Sequence, residues 1–132
     1  RGSAPAPQFL TYASDTAKKE YVDIETNDNI VRATKAKALL AWATKNGEPI
    51  LNAFNEYVES VKAQALARDQ AADQIILLLS PSAQKADAAL RGIAQDTSLT
   101  QKEADNQMDK LFKKQKWSVR KELLTAMDAL NE

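Results

Sequence analysis

Only three glycines and four prolines interrupt this chain of 132 residues. A fold of many short strands needs a turn roughly every 8–12 positions, and turns draw heavily on those two residue types. The supply is too small for that, so the chain must travel in long helical stretches with few breaks. The breaks it has suit helix ends. Asn46-Gly47 offers a left-handed C-cap, Pro49 fits the first turn of the helix that follows, and Ser80-Pro81 pairs an N-cap with a first-turn proline. At 44% apolar residues, the sequence can also cover one face of each helix.

Apolar spacing then predicts six helices. The first runs from about Ser14 to Glu25, with Ala17, Tyr21 and Ile24 inward and Ser14 or Asp15 as its cap. The second runs from about Ile30 to Lys45, with Ile30, Ala36, Leu39, Leu40 and Ala43 inward. A long third helix carries Ile50, Phe54, Val58, Val61, Ala65, Ala72, Ile75 and Leu79 up to Ser80-Pro81. Arg68 interrupts its stripe and suggests a break near 67–70. The fourth starts at Pro81 or Ser82 with Ala86, Leu90 and Ile93 inward. Thr100-Gln101-Lys102-Glu103 reads as a capping box for the fifth, whose inner face is Ala104, Met108, Leu111 and Phe112. The last begins near Trp117, with Val119, Leu123, Met127 and Leu130 inward. Trp42 is expected in the core, and Trp117 either on the core or on a ligand pocket. The expected fold is all-α, a single compact bundle of residues 9–132. Residues 1–8 form a flexible proline-rich N-terminus whose Arg1-Gly2-Ser3 reads as a cloning remnant. Ala4-Pro5-Ala6-Pro7 suits either a mature end left by signal-peptide removal or an arbitrary boundary.

The two ends of the chain resemble each other. A shift of 69 superposes Tyr21 on Leu90, Ile24 on Ile93, Ile30 on Leu99, Leu39 on Met108, Trp42 on Leu111, Ile50 on Val119, Phe54 on Leu123 and Val58 on Met127. These are eight coincidences of large apolar residues where about three arise by chance. The sequence thus reads as two helix–loop–helix halves joined by a longer central helix.

Composition removes whole classes of function. Cysteine and histidine are both absent, which excludes disulfides, zinc held by Cys or His, a thiol nucleophile and any His-dependent triad. Lys+Arg and Asp+Glu are each 18, so no overall charge points to nucleic acid or to an anionic membrane. No apolar run approaches the length of a membrane span. Ser80 and Ser82 lack a base, and Asp69, Asp73 and Asp87 lack the arrangement of an acid–base pair; the expectation is no enzyme. Lys110, Lys113, Lys114, Lys116, Arg120 and Lys121 form a basic cluster that could meet phosphates or acidic lipids, although acids nearby favour a solvated helix face.

The two inter-helix turns sit where an EF-hand would hold its ion, with oxygen ligands at loop positions one, three, five and twelve and Gly at six. With Ile30 at position eight, Asp23, Glu25 and Asn27 take positions one, three and five and Asn29 takes seven. Asp28 replaces the Gly, however, and Thr34 the terminal Glu. In the second loop Asp96 and Glu103 fill positions five and twelve, but Gly92 and Ala94 supply no side-chain oxygen. Each loop keeps half a site. Any Ca²⁺ or Mg²⁺ is expected to bind weakly and preferentially at Asp23, Glu25, Asn27, Asp28 and Asn29, with Asp96 and Glu103 as the lesser site. The competing reading makes these residues helix-surface charges, a capping turn and half of a capping box.

Leu78-Leu79-Ser80-Pro81-Ser82-Ala83-Gln84, Ala86, Ile93, Asp96-Thr97-Ser98-Leu99-Thr100 and Ser118-Val119-Arg120-Lys121-Glu122-Leu123 resemble the nematode SXP/RAL secreted antigens. Trp42-Ala43, Lys45-Asn46-Gly47, Phe54 and Tyr57 extend the likeness through the first half. Trp117-Ser118 departs from the proline that family often has before its last helix. The resemblance implies a small helical protein with a calmodulin-like, cation-binding domain. It also implies secretion and immunogenicity, with host immune components such as antibody as partners; a monomer is expected. The alternative is a helical carrier of small apolar ligands such as fatty acids.

Overall fold

The computed structural model describes residues 7–131. The expectations for Arg1-Gly2-Ser3 and for Ala4-Pro5-Ala6 lie outside the described residues. A short 3-10 turn, Gln8–Tyr12, precedes six helices: α1 (Asp15–Glu25), α2 (Arg32–Lys45), α3 (Glu48–Ile76), α4 (Pro81–Gln95), α5 (Gln101–Lys114) and α6 (Trp117–Leu130). No strand occurs among the described residues. The fold class is all-α, as the apolar spacing requires.

Local chemistry sets most boundaries. Ser14 and Ser80 each accept a hydrogen bond from the backbone N–H three residues on, at Ala17 and Ala83. Gly47 takes a φ of +99°, the left-handed backbone that closes α2 and that a side chain disfavours. Three expectations change. Helix α3 ends at Ile76, so Leu79 lies in the turn that follows it and not on the helix. Helix α2 starts at Arg32 and not at Ile30, because Val31 is extended and no side chain caps it. Helix α3 shows no break near 67–70; Arg68 lies on its exposed face and donates from Nη2 to the Asn131 side-chain oxygen at 3.1 Å.

The described chain divides into two compact units after Ala63, within α3. In the first unit, the 3-10 turn buries Phe9 to 2% exposure. Its ring meets Tyr21, Phe54 and Tyr57 edge-on at 5.4 Å and Trp42 at 5.9 Å. Trp42 in turn donates its indole N–H to the Ala17 carbonyl at 2.9 Å, so the buried polar atom is satisfied. Ala13, Ala17, Ala43 and Ile50 complete this core.

The second unit has a smaller core of Ala83, Ala86, Val119 and Leu123, against which Ile76, Leu79, Leu90 and Phe112 pack half-buried. Glu122 on α6 ties it together. One carboxylate oxygen accepts from the Ser80 N–H at 2.9 Å, and the other from the Ser80 hydroxyl at 2.7 Å. The inward faces read from spacing hold at Phe54, Trp42, Ile50, Val119 and Leu123, which are buried. They hold only halfway at Ile24, Leu39, Leu90, Ile93, Leu111 and Phe112. They fail at Ala36, Leu40, Val61, Ala65 and Met127, which are exposed because the described chain supplies too little cover for so wide an apolar stripe.

Replacing Phe9 by alanine removes a buried ring and leaves a cavity among four aromatic neighbours, so Phe9→Ala should cost about 3–5 kcal/mol in urea unfolding. A loss below about 0.5 kcal/mol would refute this packing. Tyr21 makes a second expectation. Burial, with the Glu25 carboxylate adding to it, pushes its phenol from 10.0 up to about 12. The unfolded phenol ionises first, so the contribution is full below about pH 10 and disappears as pH rises from there to about 12. Alkaline unfolding followed by tyrosinate absorbance should shift to lower pH when burial is loosened by Phe9→Ala.

Candidate functional site: the two inter-helix turns

The turns after α1 and α4 are built alike. The Asn27 side-chain oxygen accepts from the Asn29 N–H at 2.9 Å. The Asp96 carboxylate, 69 positions later, accepts from the Ser98 N–H at 3.0 Å and from the Ser98 hydroxyl. Each is a turn in which a side chain replaces a backbone acceptor. The helices that follow, α2 and α5, also begin and end 69 residues apart, as do the starts of α3 and α6. The internal repeat is therefore structural as well as apolar.

The first turn is tight. Thr26 donates from its N–H and hydroxyl to the Val22 carbonyl at 2.9 and 2.7 Å, and Lys35 on α2 donates its ammonium to the Glu25 carbonyl at 2.8 Å. Helix α1 continues through Glu25, so Asp23 and Glu25 lie on a helix and not in a loop. Two residues apart, they point about 200° from each other around the axis. The geometry expected of EF-hand positions one and three is not built. No hydrogen bond or ion pair among the described residues uses the carboxylates of Asp23, Glu25 or Asp28, all of which are exposed. The second turn differs. Glu103 accepts from the Thr100 N–H at 2.9 Å while Thr100 accepts from the Glu103 N–H at 3.0 Å, the capping box read from sequence. Among the described residues no three His, Cys, Asp or Glu side chains converge on one point.

Two features escape the sequence. Lys35 has no motif to announce it, since its reach back to α1 depends on how the helices pack. Glu122 reads from spacing as a surface charge, yet its bonds to Ser80 hold its carboxyl below the usual range. Each unit also carries an apolar groove. One, about 460 Å³, is lined in part by Tyr21, Leu39, Leu40, Phe54, Tyr57 and Val58; the other, about 510 Å³, by Ile75, Leu78, Leu79 and Trp117.

The lowered carboxyl of Glu122 fixes a sign. Its contribution is present above the ordinary carboxylate range and is lost as pH falls through its lowered value. The stability difference between wild type and Glu122→Gln should therefore be present at neutral pH and shrink on acidification. A difference independent of pH would refute the role of the charge.

Residues 1–131 match the model of a family described as "SXP/RAL-2 family protein Ani s 5-like, metal-binding domain". The chain is 28% identical over 120 residues to the SXP/RAL-2 family protein Ani s 5 of Anisakis simplex, covering 90% of this chain and 79% of that protein. It is 24% identical over 128 residues to the OV-17 antigen of Onchocerca volvulus, covering 96% and 78%. No solved structure matches. No helix among the described residues is long and apolar enough to cross a membrane.

Proposed function

The chain belongs to the SXP/RAL-2 family, and from that premise we propose that it is a secreted, non-enzymatic antigen domain that binds a divalent cation weakly at the turn between α1 and α2. The observation that carries the cation reading is the match of residues 1–131 to a domain described as metal-binding. Carboxylate availability favours the first turn: Asp23, Glu25 and Asp28 are uncommitted, whereas Asp96 and Glu103 are spent on Ser98 and the capping box. Ca²⁺ asks for six to eight oxygens, while Mg²⁺ keeps several waters and needs only one or two carboxylates. A turn without converging acids suits the hydrated ion. Glu25 and Asp28, with the Asn27 and Asn29 oxygens nearby, are the residues that would hold it, and Asp23 adds negative charge. Lys35 opposes it, which keeps affinity low, on the order of 10⁻⁴–10⁻³ M. As an antigen, the monomer meets antibody through its exposed helix faces.

A ¹⁵N spectrum titrated with Mg²⁺ and Ca²⁺ should shift amides of residues 23–30; Glu25→Ala with Asp28→Ala should abolish those shifts, and Asp23→Ala should weaken them, while the remaining spectrum stays folded. At ten times Kd the ion should add about 1.4 kcal/mol to unfolding stability. Shifts confined to residues 96–103 would move the site to the second turn, and no response at millimolar ion would end the cation reading. The groove against Tyr21, Leu39 and Phe54 favours a second reading, a carrier of small apolar ligands, since its volume lies within the range of ligand sites. Saturable displacement of a fluorescent fatty acid at micromolar concentration would support that role.

A further inference from the structure

The second unit leaves large apolar side chains in water. Leu78 is 86% exposed, Leu77 67% and Trp117 66%. Leu78 and Trp117 line one groove with Ile75 and Leu79, Leu77 precedes Leu78 in the same turn, and Trp117 also walls the neighbouring depression with Phe112 and Leu124. The apolar surface is thus continuous through the indole. At the spacing of the internal repeat, Leu78 is the counterpart of Phe9, which in the first unit is driven fully into the core. Contiguous exposed apolar area of this kind marks a surface that meets something else.

The charge around it is one-sided. Lys116, Arg120 and Lys121 flank Trp117, and the first turn of α6 carries no acid. None of the three is in an ion pair among the described residues. The Lys121 ammonium stands 5.1 Å from the centre of the Trp117 ring. Of the acids nearby, Glu122 turns its carboxylate onto Ser80, and Asp73 and Asp87 are held by Arg91; Asp128 alone faces the neighbouring depression. We propose that this apolar end of the second unit docks on the surface of an anionic lipid bilayer, with Leu77, Leu78 and Trp117 entering the interface and Lys116, Arg120 and Lys121 meeting the headgroups. Tryptophan suits that depth because its ring is apolar and its N–H polar, and lysine stems lie along apolar surface while their charges reach outward. A side chain as proud of the surface as Leu78 fits a flat bilayer better than a pocket, which buries most of its ligand. Each basic side chain near an anionic surface strengthens partitioning roughly fivefold, and salt weakens it.

The test is sedimentation of the full chain with phosphatidylcholine vesicles, with and without about 30 mol % phosphatidylserine, at about 0.1 M and about 0.5 M salt. Binding should favour the anionic vesicles at least tenfold and fall with salt. Brominated lipid should quench Trp117, while Trp42, 4% exposed in the first unit, remains the unquenched internal reference. Leu77→Ser with Leu78→Ser, and separately Lys116→Glu with Lys121→Glu, should each lower partitioning tenfold or more at unchanged unfolding midpoint. The proposal is overturned by absence of vesicle binding, by equal binding with and without phosphatidylserine, or by wild-type binding in either double variant. It is also overturned if the face instead pairs two copies of the chain or takes up monomeric fatty acid one-to-one without binding vesicles.

Discussion

The ring of Phe9 is the contact on which the first unit depends. It comes from a five-residue turn that could not hold its shape alone, and it touches aromatic side chains from α1, α2 and α3 at once. Three of those contacts are edge-on, the arrangement in which the positive rim of one ring meets the negative face of another. A unit this small buries a modest share of its surface, so one such side chain carries a large part of its stability. The alanines of the same core bring helix backbones close and leave the aromatic residues to fill the volume.

The second unit repeats the scaffold without repeating this solution. Trp42 is replaced by Leu111, Tyr21 by Leu90 and Phe54 by Leu123 at the common spacing. Helix α4 starts one turn earlier than α1 does in that register, and the positions equivalent to the 3-10 turn of the first unit are residues 77–81, which lead from α3 into α4. Its one aromatic against the core, Phe112, is only half-buried, and a bond network adds to the packing. Glu122 engages both the N–H and the hydroxyl of Ser80, and that hydroxyl accepts the Ala83 N–H at the start of α4. The same residue number shift therefore gives one core held by ring packing and one held partly by a helix cap.

What was legible in the sequence was what local chemistry decides. Ser14, Ser80, Thr100 with Glu103, and Gly47 announce helix ends because each satisfies or permits a backbone group within a few residues. The six helices and the register of the repeat follow from the same local signals. Phe9 was not legible, because a lone aromatic beside a proline-rich end has no period to reveal its burial. Arg68 reads as an interruption only if every face of α3 must be covered, and it is not. In the candidate site the turns themselves were legible at Asn27 and Asp96, and so was the helix through Glu25 that sets Asp23 and Glu25 on different faces; the reach of Lys35 back to the Glu25 carbonyl was not, since it depends on how α2 packs on α1.

Helix α3 has 29 residues and is about 44 Å long. From residue 59 to residue 68 every side chain on it is exposed. Lys62, Ala63, Gln64, Ala65, Leu66, Ala67 and Arg68 are strong helix formers, so this stretch is held by intrinsic propensity and its own hydrogen bonds. Helix without tertiary cover is only marginally stable, and it opens without either core having to open. The amide protons there exchange on their own timescale, and a protease meets the middle of the chain before it meets either core. Cleavage there cuts the chain between the segment that supplies the first core and the segment that supplies the second.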